Sequence, residues 1–248
     1  MLSGQNVWVA MAGATAAGMA AGLATGILHT FMGIPAILAG ILTQLGLYSI
    51  NLKTMGKANQ AINVDKYDLL VSLRFIRKVP FYKNTILIVA IAIILLIVVL
   101  YWFFGTELGC SLRATGCNDK MARAQGINTD FNRVLGLMIS NGLVALSGAM
   151  LCQYQGFADI NMGRGAIVIG LAAVIIGEAI FGKVFRNFGF KLLAVALGSI
   201  IYYLVLQVVI WLGIDTDLLK LLSAGVVAVF LAIPTWKSRY FSNMGKRG

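Results

Sequence analysis

The stretch Leu112–Asn128, LRATGCNDKMARAQGIN, decides how the rest of the chain is read. It is polar, charged and helix-prone. It lies between two long apolar runs, Ile86–Phe104 and Val134–Cys152. A run of about 20 apolar residues is long enough to cross the hydrocarbon core of a bilayer as a helix. A chain built mostly for lipid that keeps one such polar segment has a surface to offer a partner in water.

Composition supports the membrane reading. Of 248 residues, 59% are hydrophobic and 12% charged, and the mean hydropathy is +0.87. A soluble domain carries about 25% charged residues. One core cannot hide this much apolar surface, so the bilayer must be the solvent. The 28 glycines suit closely packed membrane helices. The net charge of +11 sits at the ends of apolar runs and in loops. There it acts as a topology signal and headgroup contact, which speaks against nucleic acid as the partner. Cys110, Cys117 and Cys152 make neither a disulfide framework nor a CxxC pair, and are expected as free thiols. His29 is the only histidine, so no His-based catalytic pair or metal cluster can be built, and no metal is expected. The opening MLSGQNVWVAMAG lacks the basic n-region of a cleavable signal peptide.

The apolar pattern predicts an all-α fold, a polytopic transmembrane helical bundle of about seven spans. These are about Val7–His29, Ile34–Leu52, Ile86–Phe104, Phe131–Cys152, Gly165–Phe181, Phe190–Leu212 and Leu218–Trp236. Gly18, Gly22 and Gly26 fall on one helix face, and a packing seam inside one bundle is expected there in preference to a dimer interface. Tyr101–Phe104 forms an aromatic belt at the end of the third span. The linker Lys53–Lys83 is basic. Within it Leu69–Phe75 reads as a short interfacial helix, and Pro80 breaks the chain.

The tail KSRYFSNMGKRG carries Lys237, Arg239, Lys246 and Arg247 with no acid, which puts the C-terminus in the cytoplasm. Counting back, the Lys183–Lys191 loop and the 105–130 segment are cytoplasmic. Asp159 and the Asp215–Asp217 loop are external. The same count puts the 53–83 linker outside despite its charge. Either the count is off by one span, or the linker binds anionic headgroups from outside.

Two stretches imitate nucleotide motifs. Gly177–Val184, GEAIFGKV, fits GxxxxGK but ends in Val where the magnesium-binding hydroxyl belongs, and its loop is too apolar to cradle phosphate. Val208–Asp215, VVIWLGID, belongs to a span. Neither makes an ATPase. Glu178 is the only acid well inside an apolar segment and is therefore a functional candidate; the alternative is that, near the cytoplasmic interface marked by Lys183 and Arg186, it simply snorkels or pairs with a basic residue on a neighbouring helix. No acidic or His partner in another span completes a proton relay.

In the polar segment, Gly105–Gly109 is expected to break the third span, and Leu112 and Arg113 to begin a helical piece. Asn118 or Asp119 can N-cap a second short helix, Lys120–Gln125, which Gly126 ends. Ala114, Met121, Ala122 and Ala124 could enter a groove, and Arg113, Lys120 and Arg123 could form ion pairs. Such a helix could pass a push from a soluble partner to spans three and four. The alternative is an inert surface connector.

The segment RATGCNDKMARAQGINTDFNRVLGLMISNGLVALSGAM resembles the coupling region of the branched-chain amino acid-type ABC transporter permeases. Arg113, Ala114, Ala122, Gly126, Ile127 and Asn128 supply that family's R-A…A…G-[IVL]-N pattern, and Gly148 and Ala149 its G-A pair. The stretch QYQGFADINMGRGAIVIGLAAVIIGEAIFG is similar to a less characterised branch, often encoded with a binding lipoprotein and an ATPase, for which amino-acid substrates are proposed. The likeness covers roughly residues 13–58 and 100–235. Members usually carry a further span before the point where this chain begins. This implies a shortened variant or a missing N-terminal span in an otherwise single permease domain, 1–248.

The resemblance implies a permease subunit of a bacterial plasma-membrane importer, a homodimer with a cytoplasmic ABC ATPase and an external substrate-binding lipoprotein. The chain itself would bind no cofactor, since ATP and magnesium belong to the ATPase, and it would not be an enzyme. ATPase contact would fall to Arg113, Ala114, Lys120, Met121, Arg123 and Gly126. The pathway would involve Asn141, Ser147, Gln153, Gln155, Gly170 and Glu178. Asp159, Asn161 and Arg164 would meet the binding protein. The alternative function is a stand-alone secondary transporter or channel without an ATPase.

Overall fold

The structure, a computed structural model, describes residues 6–62, 85–163, 166–182 and 187–212, together with 221, 224, 225 and 228. The chain divides into two units, Met1–Met162 and Gly163–Gly248. The first holds α1 (Val7–Thr30), α2 (Ala36–Met55), β1 (Asn59–Ala61), α3 (Thr85–Gly105), α4 (Glu107–Cys117), α5 (Asp119–Ala124), α6 (Thr129–Gln155) and β2 (Phe157–Asp159). The second holds α7 (Ala166–Phe181) and α8 (Phe188–Trp211).

Among the described residues, five helices are long and apolar enough to cross a membrane: α1, α2, α3, α6 and α8. They correspond to five of the expected spans. The expected span Gly165–Phe181 is the shorter helix α7, of 16 residues. The expected span Leu218–Trp236, the Leu69–Phe75 helix, the Asp215–Asp217 loop and the C-terminal tail lie outside the described residues, apart from isolated positions in the span.

Helix α1 packs antiparallel along α6, and the glycine stripe is the seam between them. A Cβ at Gly22 would fall on the Leu137 carbonyl and 2.8 Å from the Met138 Cα. One at Gly18 would meet Ala145 and lie 2.6 Å from the Asn141 carbonyl oxygen. Only glycine lets these backbones approach so closely, and close approach supplies the van der Waals contact that holds helices together in lipid. Hydroxyls link α1 to α2. Thr25 donates to Thr43 at 2.9 Å, and Thr43 donates to its own Ala39 carbonyl at 2.9 Å. By contrast, α3 is exposed or half-exposed nearly all round, with only Thr85 buried.

The fold is helical, but it includes one small sheet that the all-α expectation lacked. Helix α2 ends at Gly56 and α6 at Gly156, both left-handed (φ 72° and 77°). Strands β1 and β2 then pair antiparallel, with Gln60 opposite Ala158. Flanking bonds run from the Ile62 N–H to the Gly156 carbonyl at 2.8 Å and from the Ile160 N–H to the Ala58 carbonyl at 3.0 Å. Backbone that leaves a helix near a membrane still needs partners, and two such exits satisfy each other. The start of the 53–83 linker and Asp159 therefore share one end of the unit. The α1–α2 turn and the α4–α5 segment share the other.

In the second unit α7 and α8 are also antiparallel and joined through glycine. A Cβ at Gly198 would lie 2.7 Å from the Gly177 backbone nitrogen. Ala172, Ile176 and Tyr202 form the buried centre of this pair.

Candidate functional site

The polar segment that interrupts the membrane helices is the most highly organised part of the first unit. Three successive helices in it start with a side-chain cap. Thr106 accepts from the Gly109 N–H at 3.3 Å, Asn118 from the Met121 N–H at 3.2 Å, and Asn128 from the Phe131 N–H at 3.1 Å. Each cap satisfies a backbone donor that the helix leaves open. Helices α1, α2 and α8 have no such side-chain cap.

Helix α5 closes as sharply as it opens. Gly126 has φ 80°. Its N–H donates to the Arg123 carbonyl at 3.0 Å, and the Ile127 N–H reaches the Ala122 carbonyl at 3.1 Å. That pair of bonds needs a left-handed residue at position 126, where glycine pays no Cβ penalty. The expected Asn118 cap and Gly126 stop are therefore both present. The expected start at Leu112 is five residues late, because Thr106 caps a helix that runs from Glu107. The expected break over Gly105–Gly109 is present, since α3 ends at Gly105, while Gly109 itself lies inside α4. Its bare Cα lets the Phe103–Phe104 backbone pass, where a Cβ would fall on the Phe103 carbonyl and the Phe104 Cα.

Four charges lock α5 to the start of α6. Arg133 Nη2 meets Asp119 Oδ2 at 2.9 Å, and Arg123 Nη2 meets Asp130 Oδ1 at 2.9 Å. Arg123 Nε lies 3.7 Å from Asp119, and Arg133 Nη1 lies 3.5 Å from Asp130. The result is a closed ring of alternating sign, in which every member has two opposite neighbours. Arg123 Nε also donates to the buried Thr129 hydroxyl at 2.7 Å. Beneath the ring is an uncharged anchor. The Asn132 side chain, 2% exposed, donates to the Thr115 hydroxyl at 3.0 Å. The Ser111 hydroxyl donates to Asn132 Oδ1 at 3.5 Å, and the Leu112 side chain covers Gly136.

The residues expected to contact an ATPase separate into two groups. Arg113, Ala114, Lys120 and Met121 are exposed, Met121 by 61%. Arg123 is held in the ring, and Gly126 shapes the turn. Sequence reasoning did not single out Thr115, Asp130, Asn132 and Arg133, and read Asp119 only as a possible cap, although these five hold the segment together. The available signal was an Asp–Arg pair four apart followed by one three apart, with a turn between them.

At the other end of the unit a cavity of about 200 Å³ is lined by Met11, Met55, Gln60, Cys152 and Gln153, among others. Of the six expected pathway residues only Gln153, 1% exposed, lines it. Asn141 donates to its own helix at the Leu137 carbonyl, 2.8 Å away. Ser147 and Gln155 are exposed on α6, and Gly170 and Glu178 are exposed on α7. Asp159 caps the turn after β2 by accepting from the Asn161 N–H at 2.6 Å. Arg164 lies outside the described residues. His29 Nδ1 bonds the Ile34 carbonyl at 2.8 Å and so braces the α1–α2 turn. The cysteines are free thiols, Cys110 and Cys117 exposed. Among the described residues, no three His, Cys, Asp or Glu side chains stand close enough to hold a metal.

Apolar helices of membrane length, glycine seams between them and one structured polar segment between two spans define a polytopic helical membrane permease. The chain belongs to the family described as branched-chain amino acid transport system / permease component, whose model matches residues 1–239. It is 39% identical over 218 residues to a tyrosine transport system permease protein of Clostridioides difficile, covering 87% of this chain and 69% of that one. It is 36% identical to an uncharacterised protein of Rickettsia prowazekii, covering 80% and 69%. An autoinducer 2 import system permease protein of Yersinia pestis is 33% identical over 163 residues, covering 64% of this chain and 44% of that one. No solved structure matches.

Proposed function

We propose that the chain is the membrane-spanning permease subunit of a bacterial ATP-binding cassette importer, and that the α4–α5 end of its first unit docks the cytoplasmic ATPase. One observation carries this reading. A capped, ion-locked short helix holds Lys120 and Met121 out to solvent at the start of a membrane span. A flexible thioether beside a cation suits an apolar groove with an acidic rim. Family membership and the names of the relatives support the importer class.

On this reading the chain does no chemistry. ATP and magnesium sit on the ATPase, whose closure biases the permease between outward- and inward-facing states. The permease works as a homodimer in the plasma membrane with its C-terminus in the cytoplasm. The β1–β2 end, with Asp159, Asn161 and the 53–83 linker, faces outward toward a substrate-binding lipoprotein. Arg164 belongs to that contact too. The solute is a small organic molecule, an amino acid, and tyrosine is the first probe because of the Clostridioides relative. Gln153 is the pathway residue that the cavity supports.

Co-expression with a candidate ATP-binding cassette ATPase from the same organism tests the docking site. The pair Lys120→Glu and Met121→Asp is expected to cut co-purified ATPase about tenfold, the loss of roughly 1.4 kcal/mol of binding. Phe157→Asp, at the opposite end, is expected to leave it unchanged. Full retention by the double variant rejects the docking assignment.

A further inference from the structure

We infer that the cavity beside β1 and β2 receives the uncharged side chain of the transported solute, and that Ala149 and Met11 set the largest side chain it takes. The inference rests on the proposed importer function and names the chemistry of its solute. The cavity opens where the glycine seam stops. Met11 lies two turns before Gly18 on the same face of α1, and brings a long side chain where Gly18 and Gly22 bring none. On α6, Ala149, Cys152 and Gln153 share a face through their spacing of three and four residues. The last residue of α2 adds Met55, and β1 adds Gln60. All six residues are buried or half-buried, and the space of about 200 Å³ lies among them.

Size and chemistry choose the occupant. An apolar cavity of about 150 Å³ holds benzene, whereas a whole drug-sized ligand takes about 300–1,000 Å³. This cavity therefore takes one end of a solute, up to a substituted ring, and leaves the rest outside. No charged side chain is among the described residues that line it. An ammonium or carboxylate brought in would lose its water and gain no counter-ion. The amino and carboxylate groups of an amino acid consequently stay at the mouth, and acidic or basic side chains are refused. Met11, Met55 and Cys152 give a polarizable wall, and thioethers favour contact with a ring edge. Gln60 and Gln153 add amides, which can meet a phenolic hydroxyl. A lipid acyl chain, the competing occupant, has no group to meet an amide.

Photolabelling of the purified permease in lipid nanodiscs tests this, with para-azido-L-phenylalanine as the probe. The experiment needs no ATPase, so failure of the docking proposal neither mimics nor masks its result. Label is expected on peptides that contain Met11 or Ala149–Gln153, with excess tyrosine or phenylalanine protecting them and aspartate or lysine not. Ala149→Phe fills the cavity and is expected to cut labelling there about tenfold at an unaltered melting temperature. Met11→Ala enlarges the cavity, and is expected to keep the label and to let tryptophan protect at about tenfold lower concentration than in the unaltered chain. Should Ala149→Phe fold poorly, the Met11→Ala competition decides alone. Absent or misplaced label, label that aspartate removes as well as phenylalanine does, or label that only a fatty acid displaces overturns the inference. So does full labelling of a folded Ala149→Phe variant, or tryptophan protection that Met11→Ala leaves unchanged.

Discussion

The two ends of α6 solve the same problem by different means. Each is a place where a long membrane helix stops and its backbone must find partners. At the Thr129 end the partners are side chains: an Asn cap, a four-charge ring and a buried Asn–Thr bond. At the Gln155 end they are backbone, with a left-handed glycine followed by three residues of strand paired to β1. The first end is rigid and rich in charge. The second is short-stranded and borders a cavity lined by two glutamines and three sulfur-bearing side chains. On the proposed function, the end that would receive force has many directional contacts on one small helix, and the end that would admit a solute has few.

The largest effect should come from uncoupling the ends at the seam between them. Gly22→Leu drives a side chain into the Leu137–Met138 backbone. A loss of about 3 kcal/mol or more is expected, because backbone cannot yield as a side-chain tip can. Size-exclusion chromatography in detergent should show aggregated material, whereas Gly40→Ala, in open space, should behave as the unaltered chain does. Normal elution of Gly22→Leu would show that the seam is not tight.

Next is Asn132→Leu, which removes a buried donor and leaves Thr115 to find another partner. It should cost about 1–3 kcal/mol, read as a lowered melting temperature in detergent. Arg133→Gln should cost less, about 0.5–1 kcal/mol, because the ring members remain 32–53% exposed and each keeps a second partner. Its penalty should shrink between low and 1 M salt, while that of Asn132→Leu should not. Equal salt dependence would contradict the division into ring and anchor.

The smallest effect belongs to the strand end. Ile62→Pro deletes the N–H that reaches the Gly156 carbonyl at 2.8 Å. About 1 kcal/mol is expected, with hydrogen exchange accelerating across residues 58–62 and 156–160 and no change at α5. Acceleration at α5 as well would show that the ends are not independent.

What the sequence made legible was local. Span positions follow from runs of apolar residues, and the expected and observed limits differ by a few residues. The Asn118 cap and Gly126 stop could be read because both act within six residues of the backbone they satisfy. The glycine stripe could be read because four-residue spacing maps directly onto a helix face. The charge ring could not, because Asp130 and Arg133 read as the polar start of a span and meet Arg123 and Asp119 only after the chain turns at Gly126. The strand pair joins residues 59–61 to residues 157–159, and three-residue segments carry no period of their own. The break over Gly105–Gly109 could be read, but the close approach at Gly109 could not, because a glycine that admits a neighbouring backbone looks, in sequence, like one that breaks a helix. The pathway residues were chosen because they are polar or small, and of them only Gln153 lines the cavity beside β1 and β2.

Photo-crosslinking from each end in intact cells tests the central claim most directly. A photoreactive residue at position 121 is expected to capture the ATPase, and one at position 157 is expected to capture none of it. Capture of the ATPase from position 157, or its absence from position 121 while the complex still co-purifies, would contradict the account.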